Sequence, residues 1–465
     1  MPNTMYTIGL RSTRAHRARL QVASHNLANA DTEGYSRQSV RLNPAHARLQ
    51  YGRSVGLGVN ASHPRREEDA SIQRTLRDTG ERNGFFRGSA RLLSHAEAIV
   101  DSDAGHPVGS AVNTFFQRIG EASLDPTSIP RRQSLLDAAD RLAISIRDSY
   151  ASIERIRDEA DTHVRDVVEE INNLTTTIAN LNQQVEDAEN VSQHSGDLRD
   201  ERDRAILELS ELMNITVLDG DNGMVNIQTN EGYLLVGGTD SHGLSVQANA
   251  TNNGHLDITM ASRPGNPVMP STELGGFLGG IMDARDGALA RQLSDLDDLA
   301  FDMANAVNAT LATGTDLNGA AGIALFDVSA TRPGAGRTID LNAAIRNQPA
   351  SLALSGTASV GDNTIALALA QIEEQGIIGA GLERPSDAIS SSLYDLADAA
   401  RDANDKQAET EIIYAEAKMV RDSVLGVSID EELVNLTEAQ RAFQGAAKVI
   451  TTADEVMQEI MGLKR

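Results

Sequence analysis

Apolar residues recur at helical spacing at both ends of the chain. Over 429–463 an apolar residue returns every seventh position: Ile429, Leu436, Phe443, Ile450 and Met457. Three residues after most of these comes a small or apolar partner: Ala439, Ala446, Ala453 and Ile460. That alternation is the seam of a coiled coil, with alanines that admit a second helix at close range. Residues 4–29 offer that helix, with Met5, Ile8, Ala15, Val22, Ala23 and Leu27 at helical spacings. A turn-rich run, Asn29 to Tyr35, follows, and Gly34 suits the left-handed backbone that ends a helix. An extended stretch containing Gly52, Gly56 and Gly58 reaches about residue 65, and helical signal returns from about 67.

The longest periodicity runs from 146 to 188 through Ile146, Ile153, Ala160, Val167, Leu174, Leu181 and Ala188, seconded by Tyr150, Val164, Ile171, Ile178 and Val185. It predicts a helix of roughly 45 residues, roughly 65 Å long. Another amphipathic helix carries Leu198, Ile206, Leu209 and Leu212. The period changes to two at Ile215 and Val217, and again at Val225, Ile227 and Thr229. Between them Asp219-Gly220-Asp221-Asn222-Gly223 reads as the turn of a β-hairpin. Short strands are expected near 233–236, 244–248 and 256–260, before a cluster of Pro264, Gly265, Pro267 and Pro270. Helix resumes over 273–312, residues 314–385 are mixed and rich in Gly, Ala and Ser, and Pro385 opens a last long helix that Gly426 ends.

The predicted fold is mainly α with a β insert (α+β): an elongated, nested helical bundle whose chain goes out and comes back. Residues 1–66 and 426–465 are expected to form an inner coiled-coil domain with its following loop. Segments 67–213, 271–313 and 386–425 are expected to form a long-helix body. Segments 214–270 and 314–385 are expected to form a small β-rich or mixed outer domain.

Composition supports helices over a compact catalytic core. Aromatics are 3% of the 465 residues, with no Trp, so cores are built from aliphatic side chains. Cysteine is absent, which excludes disulfides, Cys-ligated zinc and a thiol nucleophile. The net charge of −25 is unevenly placed: residues 1–66 hold ten Arg and two acids (Asp31, Glu33). Such a split fits a basic arm for nucleic acid or a basic segment packed on acidic neighbours. Stacking partners are few on the basic side: Tyr6, Tyr35 and Tyr51, unclustered. No stretch approaches the ~20 apolar residues of a membrane span, and Met1–Ala30 lacks the apolar core of a signal peptide. That Arg-rich, acid-free segment imitates a transit peptide, but its match to the far end argues against removal.

Catalytic or metal-binding spacings do not emerge. The ten His form no His-Glu-x-x-His pattern, and none of the four Lys follows a phosphate-binding glycine loop. The turn at 219–223 fails as a calcium loop, with Gly223 and Asn230 where ligands belong. Gly275-Gly276 and Gly279-Gly280 suit a helix start or close packing. The acids of Asp197–Glu211, interleaved with Arg199, Arg202 and Arg204, read as an exposed ion-paired face. The expectation is a protein that is not an enzyme and has no cofactor or metal.

Ala23-Ser24-His25-Asn26-Leu27-Ala28-Asn29, followed by Thr32 and Gly34-Tyr35-Ser36-Arg37-Gln38, resembles the N-terminal signature of the bacterial flagellar rod, hook and hook-associated family, and of its junction members in particular. Ile429-Asp430-Glu431-Glu432, Asn435-Leu436, Ala439-Gln440-Arg441-Ala442-Phe443-Gln444 and Val449–Glu455 look like that family's C-terminal helix. Asp197–Asp203 and Gly275–Ile281 resemble the body of the junction members.

The resemblance implies a structural flagellar subunit joining hook to filament. It would be exported by the flagellar type III pathway without N-terminal cleavage and placed outside the cell. Implied partners are copies of itself in a ring or tube, the hook protein, a second junction protein and an export chaperone on the C-terminal helix, with no nucleic acid and no membrane insertion. The terminal helices would order on assembly. Leu436, Phe443 and Ile450 would fill the seam against Leu20, Val22 and Leu27, with Ala439, Ala446 and Met457 along it. Asn26 and Asn29 would satisfy backbone groups where the helix turns into the loop, and Gly34 and Tyr35 would shape and anchor that loop. Arg37 either pairs with an acid of an adjacent subunit or stays solvated. The alternatives are a hook or distal-rod subunit, which would be mostly β outside its ends, and an Arg-armed nucleic-acid binder.

Overall fold

The computed structural model describes residues 2–46, 48–50, 53–100, 107–190, 195–261, 268–357, 359 and 361–462. The expected Gly52 and the Pro264, Gly265 and Pro267 cluster lie outside them. Helix α1 (Pro2–Ala28) leads into an arm of nested antiparallel pairs. In it β1 (Gln38–Ser39) pairs with β6 (Arg65–Arg66), β2 (Leu42–Pro44) with β5 (Val59–Ala61), and β3 (Arg48–Gln50) with β4 (Arg53–Val55). The stretch read as merely extended is therefore one long hairpin. It folds back along α1, where Gly58, at φ +88°, rests 3.4 Å from the Ile8 backbone if given a Cβ.

The body follows: α2 (Ala70–Val100), α3 (Pro107–Leu124), α4 (Ile129–Asn190) and α5 (Gly196–Leu212). At 62 residues, or about 93 Å, α4 extends well before its predicted start. Leu135, Leu136, Ala139, Leu142 and Ala143 carry its buried stripe back to Pro130 in the first turn.

The β insert matches the expected strands. Strands β7 (Thr216–Asp219), β8 (Val225–Gln228), β9 (Leu234–Gly237) and β10 (Asp240–Ser241) form one antiparallel sheet, and β11 (Leu244–Ala248), β12 (Leu256–Met260) and β13 (Val268–Met269) another. Val217 faces Ile227 across the hairpin, whose turn holds Asn222 and Gly223 at φ +53° and +74°. Two asparagines of α4 fasten both sheets. Asn172 donates to the Leu244 carbonyl (3.0 Å) and accepts its N–H (2.7 Å). Asn182 treats Val225 alike, at 2.8 and 3.1 Å.

The helix expected over 273–312 is three: α6 (Ser271–Leu274), α7 (Gly276–Asp286) and α8 (Ala288–Ala312). Gly275 at φ +54° breaks it first, and Gly287 breaks it again. Strands β14 (Phe326–Asp327) and β15 (Asp340–Leu341) pair with each other. Short helices α9 (Ala335–Thr338) and α10 (Thr364–Gln371) pack on α3, α4 and α8. Segment 314–385, expected beside the β insert, places these elements on the helical body. Buried Arg132 of α4 secures it by donating to the Pro349 and Leu352 carbonyls, and Arg147 secures it through Ile339.

Helices α11 (Pro385–Leu425) and α12 (Ile429–Gly462) bring the chain back. α11 lies antiparallel to α2, with Tyr414 beside Gly80 and Asn404 bonded to Ser94, and α12 lies against α1. The structure is mainly α with a β insert, which does not fit the β-dominated body expected of a hook subunit.

Where α2 crosses α5 and α7, backbone meets backbone. A Cβ on Gly84 would sit 1.9 Å from the Glu211 carbonyl oxygen, and one on Gly280 1.9 Å from that of Phe85. We expect Gly280→Ala to lower stability by about 3 kcal/mol, as overpacking does. Gly120→Ala, with nothing within 4 Å, should gain up to about 1 kcal/mol from helix propensity. Urea denaturation measures both. The β insert is also tied down by charge. Burial works against the Asp161 carboxylate, but the His255 hydrogen bond (3.0 Å) and the Arg285 charge outweigh it and hold its pKa below the ordinary value. Asp286 is lowered likewise, burial being outweighed by Arg285, Asn252 and Arg157. Carboxyls depressed on folding stabilise above their unfolded pKa, and that stability is lost as pH falls through the folded values. Thermal melts taken from about pH 5 downward should show this loss, and Asp161→Asn should start less stable and lose less.

Candidate functional site

The loop after α1 is where the two ends of the chain join the body. Asn26, in the last turns of α1, is 1% exposed and fully used. Its Nδ2 donates to the Gln38 carbonyl (2.8 Å), and its Oδ1 accepts the Gln38 N–H (3.0 Å) and the Tyr35 hydroxyl (2.9 Å). The side chain thereby replaces a neighbouring strand for Gln38, as a buried backbone amide requires. Tyr35 is buried beside His25, ring edge to face at 5.8 Å. Burial, with Asp197 and Asp200 nearby, raises its phenol far above the ordinary value, so it remains a donor. Gly34 takes φ +78°, six residues beyond the end of α1, so it bends the loop and does not end the helix. A Cβ there would strike Arg204 at 2.5 Å.

Carboxylates of α5 hold the loop from one side. Asp200 accepts the Ser36 N–H and the Arg66 guanidinium, both at 3.0 Å. Asp203 takes the other arm of Arg66 at 2.7 Å. Asp197 accepts from the Gln38 side chain at 2.8 Å and lies 3.1 Å from His25 Nε2. Burial pushes the Asp200 carboxyl above its usual value against the Ser36 amide and Arg66. For Arg66, burial opposes the charge, but Asp203 and Asp200 win and raise it.

The other side belongs to the C-terminal helices. Buried Arg421 of α11 donates to the Gly34 carbonyl and to Ser36 Oγ. The Arg37 N–H donates to the Leu425 carbonyl at 2.8 Å. The Arg37 side chain pairs with Glu432 at 2.8 Å and Glu431 at 3.0 Å, both in α12. Within its own chain Arg37 thus closes a clamp between the loop and α12. Asn29 donates to the His25 carbonyl at 3.0 Å.

Helices α1 and α12 run antiparallel. A Cβ on Gly9 would lie 2.7 Å from Ile450, while Arg19 stands 3.9 Å from Glu438. The buried line of α12 is Glu432, Ala439, Ala446 and Ala453, not the large heptad residues. Leu436, Phe443, Ile450 and Met457 flank it half-buried, as do Leu20, Val22 and Leu27 on α1. Ile429 and Ile460, expected in the seam, are 47% and 48% exposed. The reason is the close approach at Gly9, Ala15 and Ala23, all buried on α1: only alanine fits between the helices, and longer side chains go to the sides.

Sequence reasoning missed Asp200, Arg66, Arg421 and Glu432. The Asp197–Glu211 face was read as exposed, yet Asp200 and Arg202 are 3% and 2% exposed. Its signal was the same run, Asp197–Asp203, of which Asp200 and Asp203 take Arg66 of a distant segment as partner. No feature of the sequence around Arg421 marks it. Among the described residues, no group of three or more His, Cys, Asp or Glu could hold a metal ion, and no helix is long and apolar enough to cross a membrane.

An elongated helical body whose two chain ends pair, clamp to one loop and leave large apolar side chains half-covered defines an architectural subunit. Residues 93–326 match the family described as flagellar hook-associated protein FlgK helical domain, and residues 423–463 match the flagellar basal body rod FlgEFG protein C-terminal family. The chain belongs to the flagellar hook-associated protein FlgK family and is a structural subunit of the flagellum. It is 25% identical to flagellar hook-associated protein 1 of Bacillus subtilis, over 97% of this chain and 96% of that one. The Salmonella typhimurium protein of the same name is 26% identical over 68% of this chain, which spans only 57% of that longer relative. A solved structure described as the flagellar hook junction protein FlgK from Burkholderia pseudomallei shares the fold. Its TM-score is 0.68 at 16% identity, over 77% of this chain and all of that one.

Replacing Asn26 by Ala strips the Gln38 backbone and the Tyr35 hydroxyl of their buried partners. The expected cost is about 2–4 kcal/mol, read as faster amide hydrogen exchange at Gln38 with the α4 core unchanged.

Proposed function

We propose that this chain joins the flagellar hook to the filament, self-associating in a ring or tube through α1 and α12. The observation that carries the reading is the alanine seam. Beyond Glu432 at its start it buries alanines on α12, so Leu20, Leu27, Leu436, Phe443, Ile450 and Met457 stay half-covered until neighbours complete them. Alone, such a pair gains little from burial, since about 25 cal/mol per Å² accrues only to apolar surface removed from water. Ordering of the ends on assembly follows from that deficit.

Leu436, Ala439, Phe443, Ala446, Ile450 and Met457 of α12, with Leu20, Val22 and Leu27 of α1, form the assembly face. Asn26, Asn29, Gly34, Tyr35 and Arg37 set its angle to the body. The hook protein and a second junction protein are the axial neighbours, an export chaperone covers α12 before assembly, and the chain reaches the cell exterior by flagellar type III export. It performs no catalysis. The relatives' names and the junction title of the structural neighbour support this placement. The rod-type match at 423–463 is the one feature that favours a hook or distal-rod subunit.

Cells whose only copy lacks residues 430–465 should export hooks but carry no filaments by electron microscopy. Normal filaments on those cells would remove the proposal.

A further inference from the structure

The two terminal helices carry opposite charge on surfaces that do not face each other. Helix α1 has Arg11, Arg14, Arg17 and Arg19 and no acid. On its outer side Arg14 and Arg17 are exposed. Among the described residues no ion pair takes either of them, and the one ion pair between the two helices is Arg19–Glu438 at 3.9 Å. On α12 the far end presents Asp454, Glu455 and Glu459, all exposed and likewise without an ion pair among the described residues.

The antiparallel pairing keeps these charges apart within one chain. Gly9 lies beside Ile450 and Arg19 near Glu438, so Arg14 and Arg17 stand level with α12 near Arg441. Asp454–Glu459 is some 14 residues further along, about 20 Å at the helical rise. No movement of side chains closes that gap. A second copy can close it.

We propose that neighbouring copies dock the Arg14–Arg17 face of one α1 on the Asp454–Glu459 face of the next α12, displaced by about 20 Å along the helix axis. This rests on the assembly role proposed above and adds which faces meet, and in what register. The contact is heterologous, since each copy offers a basic face to one neighbour and an acidic face to the other. In register, without displacement, Arg14 and Arg17 would meet the like charge of Arg441 with Glu438 as the single acid beside it, whereas the displaced docking meets three acids. Charge therefore selects the stagger, and the half-covered apolar side chains fill in behind it.

The test is trans-complementation in cells that lack the native gene. Variant one carries R14E and R17E, and variant two carries D454R, E455R and E459R. Each alone should lose filaments, because both of its faces then bear one sign. Cells expressing both should regain them, because every contact between unlike variants is matched again. Normal filaments from either variant alone would overturn the proposal while leaving the flagellar role intact. So would failure of the two together when both purified chains melt like the parent, which would place a different protein, or nucleic acid, on the basic face. If either melts lower, the single changes R17E and E455R take their place under the same criteria. The truncation described above fails separately: filaments on truncated cells remove the role itself.

Discussion

Everything at the base of this molecule depends on one buried carboxylate. Asp200 accepts the Ser36 amide and the Arg66 guanidinium together, and so joins both strands of the N-terminal arm to the body. Removing a charge from water is costly and is repaid only by close, complete pairing. Here burial raises the Asp200 pKa even with its partners present, so geometry and not net electrostatic gain is the product of the arrangement. With Ser36 fixed, Arg37 reaches α12, Arg421 reaches the Gly34 carbonyl, and Asn26 finds Gln38 opposite it. The angle at which the terminal pair leaves the body follows from these few bonds.

The same device recurs along the chain. Asn26 of α1, Asn172 and Asn182 of α4, and Asn308 of α8 each use both ends of a carboxamide on the backbone of an extended segment. An asparagine on a helix gives a strand both a donor and an acceptor without requiring another strand. That lets small sheets end on helices with their edges satisfied, which an all-aliphatic surface could not do.

Periodicity made much of this legible. The helices at both ends, α5, α11 and the hairpin at 215–229 follow their apolar spacing, because each buries one regular face. What escaped was set by contacts between distant segments. The start of α4 depends on Leu135, Leu136 and Leu142 joining the core that α3 shares, and the first break in 271–312 depends on Gly275 turning beside Glu81 of α2. The helix pair and its close-approach alanines were visible, but Leu436, Phe443 and Ile450 flank the crossing where hydropathy would have them fill it. In the loop, Asn26, Gly34 and Tyr35 stood out as a motif, while Arg66 and Arg421 gain meaning only from the acids and carbonyls the fold brings to them.

The clamp at Arg37 also bears on the order of folding. Helices α1 and α12 stand at opposite ends of the sequence, and bringing them together from an unfolded chain would close a loop of some 400 residues. Once α2 has paired with α11 and Asp200 has caught Ser36, the remaining closure spans only the few residues on either side of Arg37 and Gly426. The entropic cost of zipping the ends has by then been met by the body. The pairing of α1 with α12 is then a last, local step on a frame already built.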